Sequence, residues 1–192
     1  MVWQTFTPAR GGLRRWLRAS GSLSARLAGT GQTFSVQVLA QGRQALSLDE
    51  SRALGLNCRR VGYAREVMLR VDGQAMVFAR SVTAHADSLG AWRSVRGLGS
   101  RPLADVLFKR SGILRAPLSY AQLQRQSQLQ RHVASSWLAA TGVALDHPAL
   151  PARRSVFTRG RATLLVMEVF AAPPSCWPWP LAAPPKNFKS RK

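Results

Sequence analysis

The sequence predicts an α+β domain built on one antiparallel sheet. Helix-like periodicity occupies the first thirty residues, strand-like runs come in hairpins, and no strand–helix–strand alternation organises the chain. At 192 residues, with 46% apolar side chains, it has the length and composition of one domain with its own core.

The elements follow in order. Residues 10–28 read as one or two short helices, with Leu13, Trp16, Leu17, Leu23 and Leu27 apolar and Gly21 a break. Gly29 to Gly31 is a turn. Phe34, Val36 and Val38 alternate with Ser35 and Gln37, which predicts a half-buried strand ending at Gln41-Gly42. Residues 49–54 suggest a short helical turn. Two strand-like runs, 59–71 and 74–82, flank Asp72-Gly73, a strong two-residue hairpin signal. An uninterrupted ladder would then pair Val71 with Gln74, Leu69 with Met76, Val67 with Phe78, and Arg65 with Arg80. Arg65, Val67, Leu69, Met76, Phe78 and Arg80 would share one face.

Residues 88–96 look helical, and 97–100 form a loop. Arg101-Pro102-Leu103 opens a short helix through Val106, Leu107 and Phe108, because proline is well tolerated in a first turn. Ser119 and Gln122 have the spacing of a capping box, which predicts a Gln-rich helix over 120–140 with Leu123, Val133, Trp137 and Leu138 among its apolar positions. After a loop over 142–151, a last hairpin runs from Arg153 through a Gly160 turn to Phe170. The remainder is rich in proline, ends in basic residues and reads as irregular or disordered. Trp177 to Pro180 reads as a tail packing on its own domain.

Composition narrows the function. The net charge is +20, but only Lys109, Lys186, Lys189 and Lys192 are lysines, and the arginines are dispersed. That pattern fits the coding bias of a GC-rich genome better than a nucleic-acid-binding arm or helix. The same field would steer a small anion. No apolar run is long enough for a membrane span, and the N-terminus lacks a secretory pattern. The chain is acid-free as far as Leu48, which faintly resembles a transit peptide, although a folded pattern begins by Leu13 or Trp16. Cys58 and Cys176 have no metal or disulfide spacing and read as thiols of a reducing cytosol. His85, His132 and His147 have no metal spacing either and read as surface or loop residues. There is no GxSxG elbow, P-loop or dinucleotide fingerprint.

Two features carry possible chemistry. Arg65 and Arg80, placed opposite each other, would repel. Either they diverge into solvent, or an internal acid neutralises them, or they anchor a carboxylate in bidentate fashion. Glu168 lies in the run Leu164-Leu165-Val166-Met167-Glu168-Val169-Phe170. Burying an unpartnered carboxylate costs several kcal/mol. Glu168 is therefore a solvent-facing residue, half of a structural ion pair, or a carboxylate facing a polar pocket.

The ordered elements resemble one family. Trp16-Leu17 leads to the strand around Ser35-Val36. Arg65-Glu66-Val67 and Leu69 precede the Asp72-Gly73 turn and Ala79-Arg80. Pro102-Leu103 with Leu107-Phe108, Arg153-Arg154-Ser155, and Leu164-Leu165 with Glu168 and Phe170 complete the set. This order and spacing resembles the chorismate pyruvate-lyase family over about residues 13–171. The resemblance implies a single domain whose antiparallel sheet and flanking helices enclose a buried ligand pocket. It implies a cytoplasmic lyase that converts chorismate to 4-hydroxybenzoate and pyruvate without a cofactor or metal, opening ubiquinone biosynthesis. Arg65 would hold the ring carboxylate and Glu168 would stand near the ring hydroxyl. Leu103 would contact ligand through its backbone. Leu23 stands where the best-known members have Met at a contact position, and Arg80 matches a further family arginine supporting the anion site.

On this reading residues 1–12 are an N-terminal extension, 13–171 the domain, and 172–192 a Pro-rich basic tail. A helical insertion near 115–150 is longer than in compact members. The partner would be chorismate, with no specific nucleic acid, and the protein a monomer. The rival is a non-catalytic aromatic-acid sensor of the related fold found in bacterial transcription regulators. Those carry a winged helix-turn-helix ahead of the ligand domain, for which the residues before position 13 leave no room.

Overall fold

The computed structural model describes residues 2–7, 9–57, 61–108 and 111–177. Cys58, all four lysines and the tail after Trp177 lie outside the described residues, and with them the expectation for residues 178–192.

Two short helices come first. In α1 (Gly11–Arg18), Leu13, Trp16 and Leu17 fall on one face, and Trp16 and Leu17 are buried. Gly21 takes φ 76 and breaks the chain before α2 (Leu23–Ala28), whose N-cap Ser22 accepts a bond from the Ala25 N–H. The strand β1 (Phe34–Ala45) runs three residues past the expected stop. Gly42 takes φ 147, which glycine tolerates, and pairing continues to Ala45. The helix α3 (Leu48–Ala53) opens on a capping box between Ser47 and Glu50.

β2 (Val61–Val71) and β3 (Gln74–Ala84) form the expected hairpin, with Asp72 and Gly73 both at positive φ. Its register corrects the sequence expectation. Val71 does face Gln74, but the ladder shifts between Leu69 and Arg70, so Leu69 pairs with Val77, Val67 with Ala79, and Arg65 with Ser81. Met76 is the extra residue of a bulge, and a one-residue slip turns every later side chain to the opposite face. Phe78 and Arg80 therefore do not share a face with Arg65.

Three short helices follow: α4 (His85–Leu89), α5 (Arg93–Arg96) and α6 (Ala104–Leu107). β4 (Ile113–Arg115) comes next. The helix expected over 120–140 begins instead as β5 (Ser119–Gln124), and α7 (Gln128–Thr141) starts at its own N-cap, Ser127. Two S-x-x-Q spacings compete here, and tertiary pairing decides between them. Ser119 to Gln124 satisfies an edge of β6 (Ala149–Arg159) that would otherwise be left bare. The last hairpin is β6 with β7 (Ala162–Phe170), closed at Gly160-Arg161.

The sheet is antiparallel with seven strands in the order β1-β2-β3-β7-β6-β4, and β5 also pairs with β6. Its front face carries α1 and α2 over Val36, Val67, Leu69, Val77 and Phe170, with Trp177 closing that cluster against Trp16. The packed body thus runs through Trp177. Toward the other end of the front, α4, α5 and α6 cover Tyr63, Phe157 and Leu164. The rear face is covered by α7 over Met68, Phe78, Met167 and Val169, and by α3 beside Ala64, Val82 and Leu165. Among the described residues no helix is long and apolar enough to cross a membrane.

Candidate active site

Strand pairing lays out the front face in rows. Val67, Ala79, Glu168 and Arg153 stand side by side across β2, β3, β7 and β6. The next row is Arg65, Ser81, Val166 and Ser155, and a third places Phe157 beside Arg115 of β4. A cavity opens on these rows, roofed by the α1–α2 corner and by α6. Leu23, Arg65, Leu103 and Glu168 all line it, together with Arg115, Phe157, Val67 and Leu107. Four of the five expected site residues thus come together on one cavity through their front-facing positions or the roof.

Arg65 is 2% exposed. One terminal nitrogen, Nη2, donates to the carbonyls of Gly99 and Arg101, at 2.8 and 3.0 Å, which fixes the guanidinium against the loop before α6. Its Nε is buried and has no partner among the described residues. Burial lowers its pKa from the ordinary arginine value, and the nearby Tyr63 offsets this only in part. A buried cation in that state gains from an anion placed beside it.

Glu168 resolves into one of the sequence alternatives with an addition. It lines the cavity, its side chain is 16% exposed, and it is paired: Arg153 Nε donates to its Oε2 at 2.5 Å. Arg153 is itself buried and donates through Nη1 to the carbonyls of Trp16, Leu17 and Ala19. These carbonyls belong to the last turn and C-cap of α1, where few intrahelical donors remain; that of Trp16 also accepts from the Ala19 N–H. Arg153 therefore ties the roof to the sheet and holds Glu168 in place. Sequence reasoning missed this partner, although a signal existed. A two-residue turn at Gly160-Arg161 sets Arg159 opposite Ala162, and counting back along the ladder sets Arg153 opposite Glu168.

Arg80 is the fifth expected residue. It borders the cavity, but its guanidinium lies on the other side of the sheet. There Nε donates to Glu50 at 2.7 Å, and Nη1 to Glu66 at 2.6 Å and to Gln44 at 2.7 Å. Burial alone would lower its pKa, yet Glu50 and Glu66 outweigh burial and raise it. The expectation of a paired anion site made by Arg65 and Arg80 is corrected by the Met76 bulge. Arg80 is neutralised internally, and among the described residues no carboxylate pairs with Arg65. His132 is a surface residue of α7, its side chain 49% exposed, and its Nε2 lies 2.8 Å from Glu66.

Among the described residues no group of three or more His, Cys, Asp or Glu side chains could hold a metal ion. The front cavity offers fixed cationic donors, one oriented carboxylate and apolar walls. That set suits a planar or ring-shaped organic acid, with charge stabilised by preorganised groups.

Known proteins resemble this chain in sequence and in fold. The family model described as chorismate lyase matches residues 3–178. A probable chorismate pyruvate-lyase of Albidiferax ferrireducens is 65% identical over 178 residues, covering 93% of this chain and 90% of the relative. Another, of Aromatoleum aromaticum, is 47% identical over 164 residues, covering 85% of each chain. Among solved structures, the C-terminal domain of PhnF superposes with a TM-score of 0.55 at 17% identity, covering 80% of this chain and 92% of that one. A GntR-family transcriptional regulator from Bacillus cereus superposes at 0.50 and 9% identity, covering 83% of this chain and 96% of that one. At such identities the likeness is one of fold alone.

Proposed function

This chain belongs to the chorismate lyase family, and we propose that it converts chorismate to 4-hydroxybenzoate and pyruvate, the step that opens ubiquinone biosynthesis. The observation that carries the reading is the pairing pattern of the cavity. Arg65 is buried and among the described residues has no carboxylate partner, while two strands away Glu168 is held by Arg153 on the same face. Chorismate is a dianion with a carboxylate on one end of its ring and a hydroxyl on the other. Arg65 takes the ring carboxylate and Glu168 stands at the hydroxyl end. Leu23 and Leu103 bound the ring from the roof.

In the reaction the hydroxyl-bearing ring carbon loses its proton. The neighbouring ring carbon–oxygen bond breaks, and its electron pair leaves with the enolpyruvyl oxygen. The enolpyruvate takes up a proton and becomes pyruvate, and the ring becomes aromatic. The driving force lies in the substrate, so the protein's part is orientation and charge stabilisation. Glu168 is the group placed to receive the ring proton or to hydrogen-bond the developing phenol.

The test is to incubate the pure protein with chorismate and follow both products. Equal amounts of 4-hydroxybenzoate and pyruvate are expected. With Glu168→Gln, kcat should fall roughly 100- to 10,000-fold, the range of a lost general acid–base group, with a smaller change in KM. Chorismate recovered intact from a stable complex with the wild type would favour the sensor reading. Release of 3-hydroxybenzoate would keep a lyase and overturn the stated product.

A further inference from the structure

Arg115 repeats the circumstances of Arg65 on the far side of the same cavity. It ends β4, pairs with Phe157, and so faces front; its guanidinium carbon lies 5.3 Å from the centre of the Phe157 ring. One terminal nitrogen reaches the Gly21 carbonyl of the α1–α2 corner, at 3.3 Å, the long end of hydrogen bonding. Its Nε is buried and has no partner among the described residues, as is true of Arg65. Burial and the neighbouring Arg153 both lower its pKa, and Glu168 and Tyr120 offset this in part. Glu168 is already bonded to Arg153. The cavity therefore holds one buried and one half-buried guanidinium, each with a buried Nε that has no partner among the described residues, one at each side, and Glu168 stands between them in strand order.

We infer that Arg115 is the ligand for a second carboxylate, so that the cavity recognises a dicarboxylate rather than a simple benzoate. The inference rests on the proposed reaction and adds to it a division of labour. Arg65 binds the ring carboxylate, which substrate and product share. Arg115 binds the carboxylate of the enolpyruvyl group, which only the substrate carries on its ring. The guanidinium fork supplies parallel N–H donors to a planar carboxylate, which is the geometry such recognition needs. Once the ether bond has broken, the aromatic product no longer reaches Arg115, and half of the electrostatic hold on it is gone. Arg115 is thus a positioning and specificity residue that favours the dianion over the monoanion.

The experiment compares chorismate with 4-hydroxybenzoate on the wild type, Arg115→Gln and Arg65→Gln. For Arg115→Gln the KM for chorismate should rise roughly 10- to 100-fold, the worth of one or two charge-assisted hydrogen bonds, while the inhibition constant of 4-hydroxybenzoate stays within about threefold. Arg65→Gln should weaken both. Arg115→Lys should recover part of the chorismate affinity because it restores the charge. A merely structural role for Arg115 would weaken both ligands together and lower the melting temperature. That result, or an unchanged chorismate KM, would overturn the inference. If the wild type does not turn chorismate over, the reaction reading fails by itself. Calorimetric binding of intact chorismate to the wild type and to Arg115→Gln then decides the same point, and equal affinities would overturn it.

Discussion

Along β2, Arg65 turns to the cavity and Glu66 turns to the rear of the sheet; along β6, Arg153 and Arg154 part in the same way. The two faces treat charge differently. On the rear, Arg80 lies between Glu50 and Glu66, Glu66 also meets His132, and Arg154 binds Asp49 at 2.6 Å and covers the Trp3 ring. Three of the chain's eight acids are spent there. On the front, Glu168 is bonded to Arg153 and favours the charge of Arg115, and among the described residues Arg65 has no carboxylate partner. A rear pair that satisfies itself can do no more than hold helices to the sheet. A front cation left short of an anion costs stability, and an incoming carboxylate returns that cost as binding. Strand alternation is what lets one short stretch of sequence serve both ends.

The sharpest way to break this comparison is to substitute the two neighbours separately. Arg65→Ala should remove about 2–5 kcal/mol of transition-state stabilisation, read as a fall in kcat/KM. Its folding stability should change little. Losing the bonds to Gly99 and Arg101 is offset by relief of a buried cation that lacks a carboxylate. If Arg65→Ala kept its kcat/KM and instead melted many degrees lower, the front face would be structural after all.

Glu66→Gln should do the reverse. It leaves Arg80 with Glu50 and takes the anion from His132, at a cost of about 3 kcal/mol, the low end for breaking a buried pair. Urea unfolding should show the loss, and kcat/KM per folded molecule should match the wild type. A loss of activity without a loss of stability would mean that the rear network reaches the cavity.

How much of this division was legible in the sequence depends on what sets each element. The Asp72-Gly73 turn, the Gly21 break and the hairpin around Gly160 rest on local backbone chemistry and could be read directly. The bulge at Met76 rests on packing. Val77 and Met76 are both buried, and nothing local marks which of them the ladder skips. That one residue moved Arg80 from the cavity to the rear. Likewise Ser119 and Ser127 both head an S-x-x-Q spacing, and only the bare edge of β6 selects strand at the first. Glu168 was visible as a costly residue in an apolar run, and Arg65 as an arginine on a largely apolar sheet face. Arg115 was not, because its three-residue strand is exposed at Leu114 and carries no burial pattern of its own.

The smallest expected effect sharpens the comparison by pH. Burial would push the Glu66 carboxyl up, but the hydrogen bond and charge of His132, with Arg80, outweigh it and hold the pKa below the ordinary 4.5. The hydrogen bond to Glu66 raises His132 above its ordinary 6.5, against partial burial and Arg80. A raised histidine stabilises the fold fully below pH 6.5 and loses that contribution as pH climbs through its folded value. A depressed carboxyl contributes above pH 4.5 and loses it as pH falls through its own. The pair is therefore at full strength between about pH 4.5 and 6.5. The His132 side chain is 49% exposed, so solvent screening keeps its worth under about 1 kcal/mol. Urea unfolding of the wild type and His132→Asn should show a gap in that window that closes toward pH 9. The same substitution in a Glu66→Gln background should show no such closing. A gap that is constant with pH, or that widens toward pH 9, would mean that His132 contributes by packing on Phe78, whose ring centre lies 6.0 Å away, and not by charge.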